Sequence, residues 1–285
     1  MGVIDTPWGW AAPDENGDIF VWGEDGGARV LARTGHMFLE HVAYCPKSRL
    51  LLAATGRSVS TVDAAGEVKK LPHTLPSTVA GLAVSPIGAR VAASHYNGAT
   101  ILATDRPDNP PRTLAWKGSH LGLTYSPDGK WLVSAMQENA IHLWRLGDGM
   151  DLQMRGYPGK ITQFSWGSDK VTLATNGGFG VPLWDFSGPK GPAGQQAKVI
   201  AEGGGPDTRV SAVAMHPKGM FCAVGYSDGL ALIVNIADDK AVLLHAPDAA
   251  RGAITHMAWH GSGVYLAVGR ADGLVTVTDF SKLAR

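Results

Sequence analysis

LGLTYSPDGKWLVSAMQENAIHLWRL, residues 121–146, decides how the rest of the chain is read. Leu121 to Tyr125 is an apolar run that stops at Ser126-Pro127-Asp128-Gly129. Pro127 presets φ and Gly129 tolerates positive φ, so the tetrapeptide predicts a tight turn. Lys130 to Met136 is a second, β-rich run. After the polar Gln137-Glu138-Asn139, a third run spans Ala140 to Leu146, where Ile141 and Leu143 alternate with His142 and Trp144. Three antiparallel strands this short cannot bury both faces unaided, so the stretch predicts copies of itself.

The copies register on Trp144. The series Trp22, Val62, Thr104, Trp144, Trp184, Val234 and Thr278 advances in steps of 40, 42, 40, 40, 50 and 44 residues. A second marker, the turn after each first strand, falls at Cys45-Pro46, Ser85-Pro86, Ser126-Pro127, Trp166-Gly167, His216-Pro217 and His260-Gly261, with steps of 40, 41, 40, 50 and 44. A period of roughly 40–45 residues with four strands per repeat predicts an all-β propeller, and seven third strands predict seven blades. The repeats fall at approximately 1–34, 35–75, 76–117, 118–157, 158–205, 206–247 and 248–285, read as one domain. The long step is absorbed by SGPKGPAGQQ, residues 187–196, a Gly/Pro-rich insert between third and fourth strands. After the last third strand, Leu274 to Thr278, only Phe280 to Arg285 remains, too little for an outer strand. The seventh blade is therefore expected to have three strands and to leave an edge open to β-augmentation.

Ser126-Pro127-Asp128-Gly129, Leu183-Trp184-Asp185, the Asp-Gly turns at 228–229 and 272–273, and Gly35-His36 make the chain resemble the WD40-repeat β-propeller family along essentially its whole length. The repeats are degenerate, since Trp22 is followed by Gly23 and Trp144 by Arg145. The resemblance implies structural roles for Trp22, Trp184 and Asp185, and for His120, Ser134 and Trp144, which approach the family's hydrogen-bonded set with Glu138 where Asp is usual. His36 is read in the same way, as a structural loop histidine. It further implies that residues just before the turns joining second and third strands face a partner. Here these are His95, Tyr96, Met136, Gln137, Asn176, Tyr226 and Arg270, with Tyr, Met and Arg among the types favoured at interfaces. Replacing Tyr226 or Arg270 by alanine is then expected to weaken partner capture and leave melting nearly unchanged.

Composition narrows the function. The 25 basic and 25 acidic residues cancel, which argues against broad electrostatic binding to nucleic acid or to an anionic membrane. The start, MGVIDTPWGW, has neither a basic n-region nor an apolar h-region, and no apolar run reaches the length of a membrane span. Cys45 and Cys222 fall on strands of separate repeats, so two unpaired thiols and a cytoplasmic location are expected.

No nucleotide loop, nucleophile elbow, Cys-x2-Cys pair or Asp-rich calcium loop occurs. Gly203-Gly204-Gly205 joins strands rather than opening a helix. The nearest approach to a ligand set is His41 with His256, equivalent positions of two repeats, in a chain that also carries His260. Two imidazoles with no carboxylate or thiolate beside them are an incomplete set, so neither metal nor cofactor is expected. Most of the nine tryptophans sit at repeat positions and read as packing; Trp116, on an outer strand, is the one expected to reach the surface. The expectation is a non-catalytic scaffold that presents loops to a protein partner, with no nucleic acid and no membrane. The alternative is a small-ligand or metal binder, or an enzyme, that uses a central channel near His41 and His256.

Overall fold

The computed structural model describes residues 4–23, 27–35, 39–202, 205, 207–248 and 250–281. The chain divides into two compact units, 1–153 and 154–285. In the first, one sheet joins β1 (Ile4–Thr6), β2 (Gly9–Pro13), β3 (Asp18–Trp22) and β4 (Ala28–Arg33), and a second joins β5 (His41–Cys45), β6 (Leu50–Thr55), β7 (Ser58–Val62) and β8 (Val68–Lys70). A third contains β9 (Gly81–Val84), β10 (Arg90–Ala103), β11 (Arg112–Tyr125), β12 (Trp131–Met136), β13 (Ala140–Arg145) and β14 (Asp151–Met154), whose end is the boundary between the units. The second unit holds β15 (Phe164–Trp166), β16 (Thr172–Thr175), β17 (Val181–Asp185) and β18 (Lys198–Ile200) in one sheet. A further sheet is β19 (Val210–Met215), β20 (Phe221–Tyr226), β21 (Ala231–Asn235) and β22 (Ala241–His245). The last is β23 (Ile254–Trp259), β24 (Tyr265–Arg270) and β25 (Val275–Asp279).

The expected count of seven blades is corrected to six. The fold is all-β and of the propeller class, but the third and fourth sequence repeats share a single six-stranded sheet in the order β14-β13-β12-β11-β10-β9. The cause lies in the connection Lys117-Gly118-Ser119-His120. It is shorter than the other inter-repeat connections and has no proline. Its backbone is bonded on both sides: Ser119 pairs with Tyr96 of β10, the Gly118 N–H donates to Asn97 Oδ1 at 3.2 Å, and the Gln137 N–H donates to the Ser119 carbonyl at 2.9 Å. Extended backbone so held runs from the outer strand of one repeat straight into the first strand of the next, as β11. Within β10, where two strands were expected, the Thr104 N–H donates to the Ala89 carbonyl at 2.9 Å across its two ends. The last sheet has the three strands expected, among the described residues.

Strands such as β3 alternate in burial, as a period of two requires, while central strands such as β12 are buried on both faces. In β3, Ile19 and Val21 turn inward at 0% and 2% exposure while their neighbours are half-buried. Within the first unit, Ile19, Val21, Leu31, Leu51 and Val62 form one cluster, and Leu52, Val59, Leu75, Val91 and Leu102 form the next. Within the second, Val181, Ile200, Val213 and Val224 form one cluster, and Ala214, Ala223, Ile254 and Leu266 another. Full burial of such a branched side chain contributes about 1.5–3 kcal/mol. Among the described residues, no helix is long and apolar enough to cross a membrane.

The turn at Asn97-Gly98 holds the two ends of β10 against each other, with φ of +66° and +141°. A Cβ on Gly98 would strike the carbonyl oxygen of Leu114 on β11. Gly98→Ala is expected to lower stability by about 2–4 kcal/mol, combining backbone strain with a backbone clash. Urea unfolding of the variant beside wild type checks this.

Candidate functional site

The seven positions flanking the turns between second and third strands do not share one environment. In the first unit, Tyr96 is 56% exposed and Gln137 is exposed, whereas His95 and Met136 are buried at 2% and 1%. In the second, Asn176, Tyr226 and Arg270 are buried at 3%, 0% and 7%. Four of the buried five are held through their side chains, Met136 by the Gln153 amide that donates to its sulfur at 3.5 Å, whereas Arg270 Nη1 is buried with no hydrogen-bond partner. His95 bonds through Nε2 to Thr100 Oγ1 at 2.9 Å and through Nδ1 to its neighbour's carbonyl at 2.8 Å. Asn176 Oδ1 accepts from the N–H groups of Thr162 and Gln163, and its Nδ2 donates to Thr162 Oγ1 and the Ser211 carbonyl, at 2.8–3.1 Å. Tyr226 donates its hydroxyl to the Ala201 carbonyl at 2.6 Å, and burial pushes its pKa up. Tyr226 and Arg270 are thus buried side chains, so replacing either is expected to lower stability rather than leave melting unchanged. Each of the five is a residue of, or directly follows, a strand of mainly apolar residues.

The structural set around Trp144 forms in part. His120 Nδ1 lies 2.7 Å from Ser134 Oγ and Nε2 lies 3.0 Å from the Trp116 carbonyl, both with His120 fully buried. Its ring centroid is 5.2 Å from that of Trp144, but the Trp144 indole N–H has no hydrogen-bond partner. Trp116, expected at the surface, is half-buried and stacks on His142 with centroids 4.1 Å apart. His142 is fully buried between Trp116 and Trp144 with neither ring nitrogen hydrogen-bonded, and the Asp151 carboxylate stops 3.8 Å away. Burial first, and then the neighbouring His120, pull its pKa from the ordinary 6.5 to about 3. Elsewhere, Trp22 is half-buried and ring-stacked with Phe20. Trp184 is buried and donates to Tyr157 Oη at 2.7 Å, and Asp185 caps the following turn by accepting from the Ser187 N–H and Oγ at 2.7 and 2.9 Å. His36 lies outside the described residues.

His41 and His256 belong to different compact units. His41 is half-buried on β5, and burial lowers its pKa. His256 is exposed on β23, and His260 lies beyond that strand's end with Nδ1 2.7 Å from Ser262 Oγ. Among the described residues, no three His, Cys, Asp or Glu side chains gather into a group that could hold a metal ion. Cys45 and Cys222 are both free and buried, and burial pushes the Cys222 thiol up to about 12.

A surface less evident from sequence lies on the outer strands of the second unit. On β22, Val242 and Leu243 are 69% and 60% exposed; on β25, Val275 and Val277 are 66% and 65% exposed. His245, the last residue of β22, comes within reach of β25, its Nε2 3.5 Å from Thr276 Oγ1, but Val275 and Val277 lie on the opposite face of β25 from Thr276. The register equates Val275 with Ala231 and Val277 with Ile233, since they pair with Gly269 and Ala267 as the others pair with Gly225 and Ala223. Ala231, beside the outer strand β22, is 0% exposed.

Residues 112–145 and 242–279 match the family model described as WD domain, G-beta repeat, and at these two places the chain carries WD40 repeats. No curated protein matches the sequence. A chain in the crystal structure of the mitotic checkpoint complex is similar in fold, with a TM-score of 0.76 and 15% identity over 98% of this chain and 93% of that one. The fold is widely shared, so function must be argued from surfaces.

Two outcomes follow from the buried side chains. Tyr226→Phe is expected to cost about 1 kcal/mol by orphaning the Ala201 carbonyl, and Tyr226→Ala about 3–5 kcal/mol, measured by chemical unfolding. For His142, the unfolded chain takes up a proton near pH 6.5 that the folded chain refuses until about pH 3. Stability fully present above the unfolded value is therefore lost as pH falls through that window. His142→Phe keeps a ring against Trp116 and removes the slope, so between about pH 6 and about pH 4 wild type should lose roughly 1 kcal/mol per pH unit more than the variant.

Proposed function

We propose that the chain is a non-catalytic protein-interaction scaffold whose partner supplies an extended segment along the free edge of β25. The observation that carries this reading is the three-stranded last sheet. Four of the other sheets end in a fourth strand beside the third, whereas β25 has no such neighbour among the described residues. A sheet edge offers a row of backbone donors and acceptors that an extended peptide satisfies, while alternate side chains set specificity. On β25 those alternate side chains are Val275 and Val277. Two apolar side chains, each two-thirds exposed at alternate positions of one strand, line that edge together rather than as scattered singletons. The segment favoured is thus short, extended and branched-apolar at alternate positions, like the chain's own outer strand AVLLH. In the first unit, Tyr96 and Gln137 are the two turn-flanking positions left open to a protein, and Tyr is a residue type that anchors interfaces.

The test is the double variant Val275→Lys, Val277→Lys. Both sites are exposed, so stability should stay within about 0.5 kcal/mol of wild type. Proteins that co-purify with the wild-type chain should be lost, and the β25 amides should gain protection from hydrogen exchange only when such a protein is bound. Capture of the same proteins by the lysine variant would sink the proposal.

A further inference from the structure

A second surface lies wholly in the first unit, against the six-stranded sheet, and the scaffold reading makes no use of it. A cavity of about 490 Å³ is lined by the ends of β10, β11 and β13 and by the Ser126–Gly129 turn. The volume falls in the range of small-molecule sites, about 300–1,000 Å³. Its polar lining includes Arg90, Arg112 and Lys130, with Asp128 as the one acid. Asp128 is already committed. One carboxylate oxygen accepts from Ser126 Oγ and the Lys130 N–H at 2.6 and 3.0 Å, and the other meets Lys130 Nζ at 3.1 Å. Setting Asp128 against Lys130 leaves the two guanidinium charges of Arg90 and Arg112 uncompensated among the lining residues.

Arg112 is held in place, with Nη1 donating to the Leu146 carbonyl at 2.7 Å, which leaves the rest of its donor fork to turn elsewhere. No acid of the described residues pairs with Arg90. Beneath them is Tyr125, only 7% exposed, whose hydroxyl has no hydrogen-bond partner. Burial raises the phenol's pKa, with Arg90 and Arg112 pulling the other way, so near neutral pH it is a protonated donor. A buried hydroxyl without a partner is rare in a folded protein and marks a place where a further group fits. The remaining lining is apolar: Ile87, Ile101, Ala103, Pro110 and Leu146. Ile87 leans on the turn because Gly129, at φ +70°, has no Cβ; one placed there would come within 2.8 Å of the isoleucine.

We propose that this cavity binds a phosphate monoester carried on a small, largely apolar organic body. The lining offers donors and positive charge, which an acceptor-only oxyanion satisfies. Two guanidiniums match the charge of a phosphate dianion, whereas a carboxylate leaves one of them unbalanced. The apolar wall sets a body beside that head, as inorganic phosphate alone does not require.

Calorimetric titration with three probes tests the assignment. Phenyl phosphate should bind with a Kd of about 1 mM or tighter. Benzoate, with the same ring and one charge, and inorganic phosphate, with the charge and no ring, should each bind about tenfold more weakly. Arg90→Gln should weaken phenyl phosphate about tenfold while leaving the melting temperature unchanged, since Arg90 is exposed and bonded to nothing through its side chain. Tyr125→Phe should weaken it severalfold with benzoate unaffected. Absence of heat with phenyl phosphate up to about 10 mM overturns the proposal, as does equal binding of benzoate or an unaltered Kd in Arg90→Gln.

Discussion

No sheet in this chain can stand alone, and that constraint organises everything else. A three- or four-stranded meander has two faces and one core's worth of branched residues, so each face must find another sheet or water. Val91, Ala93 and Leu102 of β10 illustrate the result: they join Leu52, Ala54 and Val59 of the preceding sheet in one cluster. Within the six-stranded sheet itself, Tyr125, Leu132 and Trp144 of the fourth repeat join Ala92, Ala99 and Ile101 of the third in another. The stabilising term is therefore shared between repeats, and damage to one sheet is felt by the one stacked on it.

Stacking satisfies faces but not edges. Edge backbone groups need a strand, and in the sheet β19–β22 the outer strand β22 supplies it, while Ala231 is buried on its face in a cluster with Ile254, Leu266 and Val268 of the last sheet. The last sheet has the same register between second and third strands and the same small-or-branched inward residues, Ala267 and Val268 against Ala223 and Val224. Two things differ among the described residues: β25 has no outer strand beside it, and Val275 and Val277 lie two-thirds exposed where Ala231 is packed in a cluster. An edge of this kind, without lysine, proline or a bulge to blunt it, is one that a partner strand fits.

Much of this was legible in the residues, because apolar alternation and turn chemistry are local. His41–Cys45, Ser58–Val62, Val210–Met215 and Ile254–Trp259 begin and end where the alternation does. The blade count was not legible, because it depends on a non-local event. Whether four residues, 117–120, turn away or stay extended is settled by Tyr96, Asn97 and Gln137, which lie far from them along the chain or across the sheet. The burial of the turn-flanking positions was not legible for a related reason. Turn-flanking residues sit at strand ends, where the parity of the pleat decides whether a side chain faces solvent. Tyr96 and Gln137 fall on the outward parity, while their neighbours His95 and Met136 fall inward. Trp116 was misjudged because its cover, His142, is a polar residue that alternation assigns to water.

Charge is subject to the same logic of locality. Equal numbers of acids and bases say little about a surface once the acids are engaged, and in this chain aspartates are spent largely on turns. Asp14, Asp63, Asp128, Asp169, Asp185 and Asp248 each accept a backbone N–H two residues on. An acid used to close a turn is fixed in direction and is poorly placed to neutralise a base across a groove. Arginines on the flanking strands are then left with an unopposed field although the total is zero. At Ser126–Gly129 both effects meet. Asp128 is drawn into the turn that begins the second strand of the founding meander, Gly129 makes room for Ile87, and Arg90 and Arg112 remain above Tyr125. The tetrapeptide that tells the chain where to reverse thereby also shapes a charged hollow against that sheet, so a site there needs no residues beyond those the fold already demands.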